Sequence, residues 1–133
     1  MKGRKRHIIV DSQGWLVRVL VHPANWSDVD GARHLLRRVP LFRRWKKLLL
    51  DGGYQSPALL HWCQQLFQVE AEIVRRSDLK TFVVLPKRWI VERTFAWLGK
   101  YRRLSKDYEY LPAVSEAWVY IAMIDRMLHR LNP

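Results

Sequence analysis

Two acids stand out by their settings. Asp51 closes the run Lys47-Leu48-Leu49-Leu50-Asp51-Gly52-Gly53-Tyr54. A short apolar run bounded by a glycine turn reads as a buried strand, and a strand end can present a side chain to a cleft. Taken alone, the same residues also suit an acid that merely starts a turn. Glu92 lies in the segment KRWIVERTFAWLGKYRRL. Projected at about 100° per residue, Arg88, Ala96, Gly99 and Arg103 fall within about 40° of Glu92, and Arg93 and Lys100 lie within about 100° on one flank. The other side carries Ile90, Val91, Trp97, Leu98 and Tyr101 and reads as a core face. One carboxylate among several cations suits phosphodiester chemistry. Carboxylates hold magnesium ions that activate a water or hydroxyl and stabilise the attacking and leaving oxygens, while arginine and lysine hold the backbone. The alternative on helical geometry alone is that Glu92 pairs with Arg88 and the basic face binds nucleic acid without catalysis.

The elements that must position these acids follow from apolar periodicity and turn chemistry. Two apolar runs between Arg6 and Val21, separated by Ser12-Gln13-Gly14, predict a β-hairpin over 6–21. Ser27 and Asp30 fit a helix start, with a helix over roughly 27–38. Leu48 to Leu50 form the strand before Asp51, and Ser56-Pro57 opens a helix to about Phe67. Glu70–Val74 and Phe82–Pro86 are two further strand candidates. A helix over about 87–104 carries Glu92, a polar link SKDYEYLP follows, and a last helix covers about 114–131. Ala117, Ile121, Ile124, Leu128 and Leu131 recur along it at heptad-like spacing and predict its core face. The alternation of strands and helices describes one mixed α/β domain.

Charge narrows the partners. The 133 residues hold 24 Lys and Arg against 12 Asp and Glu, a formal net charge of +12, which implies a polyanionic partner. The seven tryptophans and 49% hydrophobic content argue for a packed body rather than a basic tail. A single cysteine, Cys63, excludes an internal disulfide and reads as a small apolar filler. The apolar run Ile8-Ile9-Val10 is too short for a signal peptide or a membrane span, so a cytoplasmic protein with no membrane partner is expected. The five histidines show no metal-ligand spacing and read as structural. Trp89, about 60° from Glu92 on the projection, is the best placed aromatic for stacking on a base.

The stretches KGRKRHIIVDSQGWL, VHPANWSDVDGA, DGGY and above all RWIVERTFAWLGKYRRLSKDYE resemble the C-terminal part of the DDE transposases of bacterial insertion sequences, in the insertion sequence five branch of the insertion sequence four superfamily. The resemblance runs from Lys2 to about Leu131. It implies a ribonuclease H-like mixed sheet with packed helices. It further implies three acids binding two magnesium or manganese ions, with Asp51 as the second acid and Glu92 as the third. It implies strand cleavage and strand transfer as the activity, terminal repeats and target DNA as partners, and a bacterial, nucleoid-associated location. Lys2, Arg4, Lys5 and Arg6, with Arg88, Trp89, Arg93, Lys100 and Arg103, are the matching candidates for DNA contact. Gly52 and Gly53 would let backbone or substrate approach where a Cβ would intrude.

Two departures qualify the match. The superfamily sets a Tyr, Arg, Glu, Lys pattern around its last acid; Arg88 and Glu92 conform, but Leu85 takes the tyrosine slot and Gly99 the lysine slot, with Lys100 beside it. In relatives the first acid lies on a strand upstream of KGRKRH, where this chain begins. Asp11, Asp28 and Asp30 each have a local explanation in a turn or helix start. The expectation is therefore a partial catalytic domain lacking the first strand, either a truncated transposase or the downstream product of a split gene whose first half is joined by frameshifting, with a homo-oligomer or that upstream half as partner. A DNA-binding polypeptide that regulates transposition without catalysis is the alternative.

Overall fold

The computed structural model describes residues 3–40, 42, 44–74, 88–101, 104 and 111–131, with the side chains of Arg88 and Trp89 excepted. The order is β1 (Arg4–Val10), β2 (Leu16–Pro23), α1 (Asp28–Leu36), β3 (Lys47–Asp51), a 3-10 turn (Gly52–Tyr54), α2 (Pro57–Phe67), β4 (Glu70–Val74), α3 (Arg88–Gly99) and α4 (Pro112–Leu131). The mixed α/β class expected from the sequence is observed. The strand candidate at 82–86 and most of the polar link at 105–112 lie outside the described residues.

β1 and β2 form the expected hairpin, two residues longer at each open end than its apolar runs suggest, from Arg4↔Pro23 to Val10↔Leu16 with a bulge at Ile9 and Val10. Asp11 closes its turn by accepting from the amides of Gln13 at 2.9 Å and Trp15 at 3.0 Å, the local role its sequence setting implied. β3 and β4 pair in parallel from Lys47↔Glu70 to Asp51↔Val74, with α2 as the crossover. Both nearby helix starts are capped as predicted, α1 by Ser27 accepting from Asp30 N and α2 by Ser56 accepting from Leu59 N. Among the described residues the strands form two separate two-stranded sheets.

Two apolar clusters flank the hairpin. One gathers Ala32, Leu36, Leu48, Leu50, Leu59, Cys63 and Phe67, with Ile9 and Val17 packed against it. The other gathers Leu16, Val19, Leu98, Val119, Ala122 and Met123, with Ile8 and Trp15 alongside. Burial raises the Cys63 thiol to about 11, so it stays protonated, in keeping with an apolar filler.

The last helix corrects an expectation. The stripe Ala117, Ile121, Ile124, Leu128 and Leu131 faces outward, and α4 instead buries Ser115, Glu116, Val119, Ala122 and Met123. What selects that face is its fit to β2 and to the segment just past α1: Tyr120 OH accepts from Val19 N at 3.0 Å, and Glu116 pairs with Arg38 at 2.6 Å. The bulkier aliphatic stripe has no such polar partners. Leu98 is 1% exposed and Ile124 56%. Leu98→Ala is therefore expected to cost about 2–5 kcal/mol of unfolding free energy. Ile124→Lys should stay within about 0.5 kcal/mol of wild type. Denaturant titration of the two variants measures both, and a larger loss from Ile124→Lys would contradict the observed orientation of α4.

Candidate active site

Asp51 sits at the carboxyl end of β3, the end of a parallel strand where α/β folds form their ligand crevices. Its Oδ1 accepts from Gly53 N at 3.0 Å and caps the 3-10 turn. The turn and cleft readings of the sequence thus both hold, because the same carboxylate also lines a cavity of about 220 Å³. Glu92, on the second turn of α3, lines that cavity too. Its walls are largely apolar, with Ile8 and Ile9 from β1, Leu48 to Leu50 from β3, and Val91 and Phe95 from α3; Arg6 also lines it. The structure therefore brings both acids named from sequence to one space, between strands that do not hydrogen-bond to each other.

Two ties hold the flanking elements in place, and both run through the hairpin. At its turn, Gly14 has φ +90° and lies against α3, where an added Cβ would meet Arg93 Nη2 at 3.0 Å and Thr94 Oγ1 at 3.1 Å. Thr94 Oγ1 donates to the Gly14 carbonyl at 2.6 Å, anchoring the helix that carries Glu92. On β1, His7 Nδ1 bonds Tyr54 OH at 2.5 Å, anchoring the turn that follows Asp51.

The second tie involves residues the sequence reading passed over. Burial, with Asp28 and Asp51 nearby, pushes the Tyr54 hydroxyl up to about 12, so it remains a donor to His7. The Nε2 edge of His7 then faces Asp28 Oδ1 at 4.0 Å, while Lys5 pairs with the same oxygen at 3.1 Å. A Cβ at Gly53 would meet Asp28 Oδ2 at 3.1 Å and Asp51 Oδ1 at 4.0 Å, so both carboxylates flank one backbone point. Gly53 thus admits Asp28, whereas Gly52 faces open space. Asp28 reads from sequence as part of a helix start, and nothing in its spacing announces this neighbour.

The remaining candidates fall in different places. Lys5 is held by Asp28 and the Trp26 carbonyl. Arg4 lies on β1, and Lys100 is exposed just past α3. Arg93 donates to the Gln13 carbonyl at 2.5 Å and stacks on Trp97. Lys2 and Arg103, and the side chains of Arg88 and Trp89, lie outside the described residues. Helix α3 ends at Gly99, short of the helix expected over about 87–104. His7, His22, Trp26 and His34 form a ring stack with successive centroids 4.7, 5.1 and 4.8 Å apart, in line with the structural role expected of the histidines. Among the described residues no group of three or more His, Cys, Asp or Glu is arranged to hold a metal.

The transposase DDE domain family matches residues 1–124. The chain belongs to that family. It is 30% identical over 115 residues to a Burkholderia cepacia protein provisionally named as a transposase for insertion sequence element IS402; the match covers 80% of this chain and 54% of the relative. The chain thus spans about half the length of that relative. No solved structure matches it. A DDE domain is named for its acids, and the cavity joins two carboxylates inside the matched region.

Burial lowers the pKa of His7, stacked His22 adds to this, Asp28 opposes it and Lys5 reinforces it. A histidine in the unfolded chain titrates near pH 6.5, so below that pH the unfolded state binds more protons than the fold. The stability due to neutral His7 is complete above the unfolded pKa and is lost as pH falls through it. Thermal unfolding at pH 8 and pH 5 should show this loss, and His7→Asn should reduce the difference. Equal pH dependence in the variant would contradict the neutral, Tyr54-bonded His7.

Proposed function

We propose that this chain supplies the Asp51 and Glu92 part of a transposase active site, for metal-dependent cleavage and joining of DNA strands at insertion-sequence ends. The observation that carries the reading is the shared cavity. Two carboxylates distant in sequence, on a parallel strand end and on a basic helix, line one space in a chain of the DDE domain family. Asp51 and Glu92 suit a magnesium or manganese ion, because magnesium is commonly held by one or two carboxylates with water and substrate phosphate completing its shell. The ion would lower the pKa of the attacking hydroxyl and balance charge on the leaving oxygen. Around it, Arg6 would hold a phosphate at the cavity edge, and the apolar walls would limit the approach of bulk water.

The same reading gives the gap between β1 and β3 a purpose. In a ribonuclease H-like sheet a strand would lie between them, covering both open edges and carrying a further acid for a second ion. That strand would come from outside the described residues. DNA as partner follows from the net charge of +12 and from the cations near the site. A cytoplasmic, nucleoid-associated location accords with that partner, and among the described residues no helix is long and apolar enough to cross a membrane.

Two measurements test this. Manganese binding to the chain, followed by electron paramagnetic resonance, should weaken about tenfold or more in Asp51→Asn and in Glu92→Gln. In the assembled transposase, each substitution should abolish magnesium-dependent cleavage of DNA bearing insertion-sequence ends while leaving DNA retention intact, since neither removes a cation. Retained cleavage in either variant would overturn the assignment. DNA retention with no metal effect and no cleavage by the unsubstituted assembly would favour a non-catalytic regulator.

A further inference from the structure

A second cleft, of about 800 Å³, opens between the hairpin turn, α3 and α4. Its chemistry is the reverse of the acid cavity: among the described residues Arg93, Arg126, His129 and Arg130 line it. At its centre Trp97 holds two guanidinium groups from different helices, Arg93 with Cζ 4.7 Å and Arg126 with Cζ 4.6 Å from the ring centroid. Trp15 from the hairpin packs beside it, centroids 5.6 Å apart. Stacking on an indole fixes the plane of the Arg126 guanidinium, a fork able to make two parallel bonds to an oxyanion, while Arg93 is also tied to the Gln13 carbonyl. Two guanidinium groups drawn to one ring repel each other, a cost that an anion would relieve.

We infer that this cleft clamps the phosphodiester backbone of DNA, with Arg126 and Arg130 as contact residues and Trp97 as the residue that orients Arg93 and Arg126. The inference rests on the transposase reading and adds a binding site to it. A polymer suits the cleft better than a small anion. Its volume far exceeds one phosphate, its cations come from both α3 and the last turn of α4, and the chain as a whole is strongly basic. Arg93 also directly follows Glu92, so a strand gripped here lies one step around α3 from the acid cavity. The projection from sequence assigns base stacking to Trp89, whose side chain lies outside the described residues; within them a tryptophan and arginine cluster forms at Trp97.

The test is fluorescence anisotropy of a labelled 20-base-pair DNA duplex across a range of sodium chloride concentrations. The double variant Arg126→Gln/Arg130→Gln should bind at least about tenfold more weakly at low salt, and its log–log salt slope should fall by about 2 relative to wild type. Arg126→Lys/Arg130→Lys, which keeps the charge, should recover most of the slope. Trp97→Leu should weaken binding with all cations retained. The charge-matched control Arg44→Gln/Lys46→Gln, on exposed residues away from the cleft, should change the slope less. Equal effects from control and cleft variants would overturn the inference while leaving DNA binding in place. Displacement of the duplex by millimolar inorganic phosphate at constant ionic strength would overturn it in favour of a small-anion site. Failure of the unsubstituted chain to bind duplex at any salt would count against the transposase reading itself. Circular dichroism of each variant confirms that it is folded.

Discussion

The hairpin is the constraint on which the rest depends. Among the described residues its strands share no hydrogen bonds with β3 and β4, so backbone pairing does not fix how the two sheets sit together. Side chains do so instead. Ile9 and Val17 pack against the β3 and α2 cluster, while Leu16 and Val19 belong to the α3 and α4 cluster. Burial on both faces commits the hairpin to one position, and two specific polar ties then fix the acids. The Gly14 carbonyl holds Thr94 on α3, two residues beyond Glu92, and His7 holds Tyr54, three residues beyond Asp51. Two acids on elements with no direct backbone link thus come to one cavity through a third element that carries neither.

The charge distribution divides the molecule into two kinds of site around one helix. Among the described residues the cavity gathers two carboxylates, mostly apolar walls and Arg6, a composition that suits a metal ion as the source of positive charge. The cleft on the neighbouring flank of α3 gathers cations and tryptophans, the composition expected where a polyanion supplies the negative charge. Helix α3 serves both because Glu92 and Arg93 diverge by about 100° around it. A strand held by the arginines and a scissile phosphate held by the acids would then be positioned by one rigid body. Local electrostatics support this division: Lys5 is spent on Asp28 beside the Asp51 turn, whereas Arg93 and Arg126 share the ring of Trp97.

Much of this was legible in the sequence, and the failures have identifiable causes. Ser27 and Ser56 marked helix starts because capping is local chemistry, and the hairpin and β3 followed from short apolar runs between turn residues. Asp51 and Glu92 were legible because each combines an unusual local setting with a match to a known family. The buried face of α4 was not legible. That helix has two stripes able to pack, and hydropathy favoured Ile121, Ile124 and Leu128, whereas Val119 and Met123 are selected by the contacts of Tyr120 with β2 and of Glu116 with Arg38 just past α1. His7, Asp28 and Tyr54 were passed over because each has an adequate local explanation, and only the packing of α1 against the turn after Asp51 joins them. Trp97 was assigned to the core face of α3, which is half true: it is partly buried, and its ring carries two arginines beside Trp15.

The central claim is that the hairpin brings Asp51 and Glu92 to a single metal-binding space. It is tested most directly by paramagnetic broadening in nuclear magnetic resonance spectra of the nitrogen-15-labelled chain with substoichiometric manganese. The account predicts that amides of Asp51 to Tyr54, Val91 and Glu92, and Ile8 and Ile9 broaden together, while those of α2 do not. In Gly14→Val, which forces the turn away from Thr94, the α3 amides should drop out of the broadened set while the Asp51 turn remains in it. Broadening confined to one acid in the unsubstituted chain, or an unchanged pattern in Gly14→Val, would contradict it.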